Sequence, residues 1–186
     1  LGALGQGLAA EGRDARAAEA RRAGALVGEA LRQARSIARG LFPIHVAPDG
    51  LVEALERAAR EAASDLGIAC TVHADGPVGL ATSDHAGHLF RIVQEAVTNA
   101  VRHGRARRVT ITIRSLPDGD AVLSVVDDGE GITDEALERE PGLGLRTMAY
   151  RAHRVGGALE VRPGDAGGTE VRVVFSPSTP APEGEA

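Results

Sequence analysis

Residues 108–128 read as two β-strands folded onto each other, and that hairpin limits the chain to folds built on a sheet. "RVTITIR" (108–114) alternates apolar and polar side chains with the period of two that a half-buried strand requires. "AVLSVVDD" (121–128) is an apolar strand ending in acid, and the link between them, "SLPDGD", carries the Asp-Gly pair of a tight turn. One face of such a hairpin must be covered. The cover is helical: "VQEAVTNAVRHG" (93–104) lies just before it, and Leu89, Val93, Ala96 and Ala100 mark the side turned to the core.

The remaining elements follow from similar patterns. A helix capped by Asp49 runs along Leu51, Leu55, Ala58, Ala62 and Leu66 and stops at Gly67, and "IACTVHA" (68–74) follows as a strand. The helix over residues 93–104 begins near Ser83 or Asp84 and ends at Gly104. Another helix is expected over residues 144–155, and "ALEVRP" (158–163) and "TEVRVVF" (169–175) are strands flanking the glycine-rich "GDAGG". Helices and strands in runs predict an α+β fold, with helices on one face of a mostly antiparallel sheet.

Ahead of this lies an alanine- and arginine-rich segment that reads as helical from Asp14 to Arg39. Val27, Leu31, Ala34, Ala38 and Leu41 recur at four-three-four-three spacing, the seam of a helix that joins a bundle or a dimer. "GLFPIHVAPDG" (40–50) breaks it with two prolines and two glycines. The expected division is a partial helical region over 1–42, a linker over 43–48, a domain over 49–176, and a Pro/Ser/Glu-rich tail without fixed structure over 177–186.

Composition excludes several classes of function. No apolar run among the 186 residues approaches the ~18–20 needed to span a bilayer, so no membrane contact is expected. The single Cys70 has no internal partner for a disulfide, which predicts a reducing, cytoplasmic setting. All 21 basic residues are arginine, so lysine chemistry is absent. A net charge of −5 argues against a nucleic-acid partner, although Arg102, Arg105, Arg107 and Arg108 cluster. That cluster reads either as a solvated helix end or as an attraction for a phosphate-bearing ligand.

Glu95, Asn99 and His103 stand at four-residue steps and climb one stripe of their helix. Asparagine is a poor helix former that needs a polar partner. Its carboxamide oxygen can complete the shell of a Mg²⁺ held otherwise by waters and phosphate oxygens. A carboxylate one turn earlier could orient or deprotonate an attacking group, and Arg102 and His103 could reach phosphates. In "VVDDGEGI" (125–132) the strand-end Asp127 could accept a hydrogen bond from an exocyclic amine while Gly129 and Gly131 let the backbone approach a flat ring. "PGLGLRTM" (141–148) puts Gly142 and Gly144 at a helix start, where free N–H groups favour phosphate. "GGTEV" (167–171) could bring the Thr169 hydroxyl beside the base. Each has a plainer account alone: a solvated helix face, a turn, a helix-entry turn and a turn into a strand. Their order along the chain is what makes them jointly specific.

In that order the segments resemble the ATP-binding catalytic domain of bacterial sensor histidine kinases, in the superfamily shared by gyrase, the ninety-kilodalton heat-shock chaperone and mismatch-repair ATPases. "IVQEAVTNAVRHG" resembles the N box, "DDGEGI" and "GLGLRTM" the two glycine boxes, and "GGTEV" the terminal Gly-Thr segment. The resemblance covers residues 49–176. It implies the Bergerat fold, an α/β sandwich in which a mixed, mostly antiparallel sheet carries helices on one face and ATP sits under a flexible lid, here short between Gly131 and Gly142. It further implies that Asn99 holds Mg²⁺, Glu95 assists phosphoryl transfer, and Arg102 and His103 approach phosphates. Asp127 would read adenine with Gly129, Gly131 and Thr169 around it, and Gly142, Gly144 and Leu145 would belong to the closing lid. "QARSIARGLFPI" followed by "GLVEAL" is similar to kinases whose response regulators carry helix-turn-helix output domains. A homodimer through the N-terminal helices and a response regulator are the implied partners.

Two departures accompany the resemblance. Such kinases carry His-Asp shortly before a Leu-Gly-Gln triplet, whereas "LGALGQGL" places Leu1 and Gly2 there, and the helical hairpin looks short. The phosphoacceptor histidine is therefore expected from a preceding segment or a partner chain, and autophosphorylation in cis is not expected. His45, His73, His85, His88 and His153 do not sit in the acceptor context, and the His85/His88 pair reads as a surface pair at a helix entry rather than a metal site. Two other readings share the motifs: a non-catalytic ATP-responsive regulatory or dimerisation module, and an anti-sigma-type serine kinase, which the helical segment at 27–44 disfavours.

Overall fold

The structure is a computed structural model, and it describes residues 46–133 and 141–177 together with Arg22, Gly24 and Val27. The chain divides into two units, Leu1–Pro43 and Ile44–Ala186. In the first unit the three described residues are helical and exposed. The rest of the helix expected over Asp14–Arg39, most of the lid and all but the first residue of the tail lie outside the described residues.

The second unit runs helix α1 (Leu51–Leu66), strand β1 (Ala69–Asp75), helix α2 (Ser83–Arg102), strands β2 (Arg108–Ser115) and β3 (Ala121–Asp127), helix α3 (Leu143–Arg154), and strands β4 (Ala158–Pro163) and β5 (Thr169–Phe175). The five strands form one sheet in the order β1-β2-β3-β5-β4. β1 and β2 are parallel, joined through α2, and every other pair is antiparallel. The sheet is therefore mostly antiparallel, as the sequence pattern predicts, and mixed, as the family resemblance implies.

Register explains the core. Val72, Ile111, Val125, Val171 and Val161 line up across all five strands, and Ile113, Leu123, Val173 and Leu159 form the next row. These rows join Leu55, Leu89, Ile92, Val93, Met148, Ala152 and Val155 of the helices in one apolar cluster. The opposite face carries Thr110, Thr112 and Ser124 with the cross-strand pairs Arg162–Glu170 and Arg172–Glu160 at 2.7 and 3.3 Å. Such exposed pairs contribute about 0–1 kcal/mol each, so burial on the helix side holds the domain together.

One helix cap and one side chain differ from expectation. Asp49 does not cap α1; Gly50 takes that position without a side-chain hydrogen bond, because the Gly50 N–H closes a turn onto the Ala47 carbonyl at 2.9 Å and moves the first helical carbonyl on by one residue. α2 is capped by Thr82, whose Oγ1 accepts from the His85 N–H at 3.2 Å. His85 is fully buried and neither ring nitrogen is hydrogen-bonded among the described residues, which corrects the reading of His85 as a surface residue. At the third position of α2 its side chain turns inward with the row Ala86, Leu89 and Val93.

Candidate functional site

Period two carries one charge into the core layer. Ala121, Leu123, Val125 and Asp127 all point to the helix-covered face of β3, and Asp127 is only 7% exposed at the end of that row. A carboxylate so placed is costly unless something donates to it. Its Oδ1 accepts the Gly129 N–H at 2.8 Å, and no donor among the described residues engages Oδ2.

Three glycines bring main chain against that carboxylate. A Cβ on Gly104 would lie 3.4 Å from Asp127 Oδ1, and one on Gly129 would overlap the Gly104 carbonyl and stand 2.9 Å from Oδ1. Gly168, at φ +75°, would put a Cβ onto the Asp127 carbonyl and 2.9 Å from Oδ1. Gly131, at φ +80°, lies against the Gly168 carbonyl. The result is a carboxylate walled at Oδ1, whose Oδ2 is suited to a flat ring bearing an amine.

A second group forms one turn earlier on α2. Glu95 and Asn99 are half-buried, and Gly144 in the first turn of α3 faces both. A Cβ on Gly144 would overlap Glu95 Oε1 and lie 3.6 Å from Asn99 Nδ2. Absence of a side chain at Gly144 lets the start of α3, whose N-cap Gly142 contributes no side-chain hydrogen bond, meet the Glu95/Asn99 stripe. The Asn99 carbonyl accepts the N–H groups of His103 (2.8 Å) and Gly104 (3.2 Å), so the same turn ties this group to the Asp127 wall. Arg151, one stripe along α3 from Gly144, is half-buried; burial lowers its pKa, and the Glu95 carboxylate is the first charge opposing that shift.

The other expected site residues are placed less tightly. Arg102 and His103 are exposed at the end of α2, and Thr169 is half-buried at the head of β5. A Cβ on Gly142 would meet open space. Leu145 packs against the apolar cluster. Gly104 and Gly168 were not among the residues expected from sequence, yet they wall the carboxylate; the only sign of them is their place beside the N box and Thr169. Among the described residues no three His, Cys, Asp or Glu side chains could bind a metal together. The donor set fits Mg²⁺ only as Asn99 offers it, one neutral oxygen with phosphates and waters completing the shell.

The family described as histidine kinase-, DNA gyrase B-, and HSP90-like ATPase matches residues 84–179, over half of the chain. The chain belongs to this family. It is 34% identical over 136 residues to the nitrate/nitrite sensor protein NarX of Escherichia coli K12, a stretch covering 73% of this chain and 22% of that protein. It is 32% identical over 162 residues to the sensor histidine kinase LiaS of Bacillus subtilis, covering 86% of this chain and 43% of that one. The chain thus spans about a fifth of NarX and under half of LiaS. Among solved structures, the histidine kinase domain of the blue-light activated kinase EL346 from Erythrobacter litoralis superposes with a TM-score of 0.57 at 26% identity, over 73% of this chain and 65% of that one. The ATP binding domain of PrrB from Mycobacterium tuberculosis gives 0.56 at 25% identity, over 72% and 95%. Homology to sensor histidine kinases and the α+β architecture of their ATP-binding domains agree with the expectations from sequence.

Proposed function

We propose that residues 49–176 are the ATP-binding catalytic module of a two-component sensor histidine kinase, following a helical dimerisation region (1–42) and a linker (43–48), with 177–186 as a tail. The observation that carries this reading is that the last turns of α2 link two groups: the glycine-walled Asp127 acceptor, against Gly104, and the Glu95/Asn99/Gly144 group, with the Asn99 carbonyl accepting the Gly104 N–H. Two such groups suit a ligand with a base at one end and phosphates at the other.

In this reading Asp127 Oδ2 accepts the adenine amine, with Gly129, Gly131 and Thr169 around the base. Arg102 and His103 reach toward the phosphates, and Gly142, Gly144 and Leu145 carry the segment that closes over them. Asn99 would hold Mg²⁺, which when bound neutralises phosphate charge. The unprotonated ring nitrogen of an acceptor histidine attacks the γ-phosphorus, the bond to the bridging oxygen breaks, and ADP leaves. The half-buried Glu95 carboxylate orients that imidazole and takes the proton from its other nitrogen. The phosphohistidine then donates to a response regulator, and the assembly is a homodimer working on the cytoplasmic side. No helix among the described residues is long and apolar enough to cross a membrane.

The test is transfer of label from γ-labelled ATP to a separately supplied helical acceptor domain carrying the phosphorylatable histidine. Acid-labile, base-stable label on that domain, absent with Asn99→Ala, is the expected result. ATP binding without any transfer would contradict the kinase reading and leave a regulatory module.

A further inference from the structure

Asp128, the second acid of "DDGEG", has no part in the reading above, yet among the described residues its carboxylate accepts three hydrogen bonds where that of Asp127 accepts one. Its Oδ1 accepts the backbone N–H groups of Arg107 at 2.8 Å and Arg108 at 2.7 Å, and its Oδ2 accepts from Arg108 Nε at 2.9 Å. The Asp128 N–H in turn donates to the Arg108 carbonyl at 3.2 Å. Two residues on, the Glu130 N–H donates to the Gly104 carbonyl at 2.7 Å, and its carboxylate pairs with Arg105 at 3.0 Å. Arg105 sits at φ +51°, a left-handed conformation that a non-glycine residue holds only when its surroundings enforce it.

These bonds fasten the turn between α2 and β2 onto the segment that follows β3. The fastened turn contains Gly104, whose carbonyl lies against Gly129 and on which a Cβ would touch Asp127 Oδ1 at 3.4 Å. One wall of the acceptor carboxylate is therefore held from behind by its neighbour in sequence. The backbone N–H groups of Arg108 and then Arg107 hold the Asp128 carboxyl below the usual carboxylate range, so the clip keeps its charged acceptor at neutral pH.

We propose that Asp128 is the positioning residue of the nucleobase pocket: by its bonds to the Arg107 and Arg108 main chain it holds Gly104 against Asp127 and so sets the discrimination between adenine and guanine. This rests on the reading of Asp127 as the adenine acceptor. Adenine presents an amine where guanine presents a carbonyl oxygen, so a fixed carboxylate welcomes one and repels the other. A wall that drifts lets the carboxylate turn and admits water, and the difference shrinks.

The experiment is calorimetric titration of the full chain with non-hydrolysable ATP and GTP analogues, at a temperature where each variant is folded by circular dichroism. The wild type should prefer the ATP analogue, and Asp128→Ala should reduce that preference by about tenfold. Asp128→Asn keeps an oxygen for both N–H groups, and Arg108→Ala keeps both backbone bonds, so each should stay within about threefold of the wild-type ratio. A wild-type ratio in Asp128→Ala, with only a lower melting temperature, overturns the proposal. So does an Arg108→Ala ratio as low as that of Asp128→Ala, because the effect would not then run through the main chain. Should Asp128→Ala fail to fold, Asp128→Glu displaces both oxygens by one methylene, and a wild-type ratio there is equally contrary. Failure of the underlying reading is distinct, since the wild type would then ignore the ATP analogue or Asp127→Asn would bind both analogues as the wild type does; either overturns both claims.

Discussion

Gly168 runs so close to Asp127 that a Cβ on it would overlap the Asp127 carbonyl oxygen and stand 2.9 Å from the carboxylate. The last strand and the strand ending in the acceptor acid are thus joined by a contact that only glycine permits.

Gly168→Ala should therefore destabilise the domain and weaken nucleotide binding together. The left-handed backbone alone costs a side chain about 1–3 kcal/mol, and the overlap is with main chain, which cannot swing aside. A lower urea midpoint with reduced affinity for an ATP analogue is expected; a variant as stable as the wild type would contradict the packing described.

Gly144→Ala should act differently. The added methyl meets the end of the Glu95 side chain, which can move, and Gly144 has no positive φ. Melting should change by no more than about 1 kcal/mol, while transfer to an acceptor histidine falls because the Glu95 carboxylate is displaced. Unaltered transfer would argue that Glu95 has no role at the γ-phosphate.

Buried His85 makes stability depend on pH. Burial lowers its pKa, with Asp84 opposing and Arg154 adding to the shift. The unfolded chain then binds the proton more readily, so this contribution is complete above the unfolded value of about 6.5 and is lost as pH falls toward the folded one. His88 is shifted the same way by burial first, then by Arg151 and Arg154. His85→Leu removes two ring nitrogens that have no hydrogen-bond partner among the described residues, and its melting temperature should fall less than the wild type's between about pH 7 and pH 5. Parallel curves for the two proteins would contradict this origin.

Much of this domain can be read from the sequence, for identifiable reasons. β2 announces itself because Val109, Ile111 and Ile113 alternate with polar residues, and the Asp-Gly turn brings Gly119 to φ +93° as a tight hairpin requires. Asp127 and Asn99 are legible because each breaks a local rule, an acid in an apolar row and an asparagine between two valines. What the sequence hides is contact at a distance. Nothing in "HGRARR" shows that its amides converge on Asp128, and nothing near Ser83 shows that His85 rather than a neighbour turns inward. The cap of α1 lies at Gly50, one residue beyond the expected Asp49, because a turn closes ahead of it.

Ile111 lies at the centre of the sheet, fully buried between the Val72 and Val125 positions of its neighbours. Ile111→Ala should cost about 2–5 kcal/mol, read as a lower urea midpoint with unchanged m-value. A loss below about 0.5 kcal/mol would mean that the helix layer does not rest on this row.

The most direct measurement is calorimetric titration of the chain with a non-hydrolysable ATP analogue, with and without Mg²⁺, for the wild type, Asn99→Ala and Asp127→Ala. Magnesium-dependent binding that is lost in both variants is the expected result. Binding unaffected by either substitution, or none at millimolar nucleotide, would contradict the site built on Asn99 and Asp127.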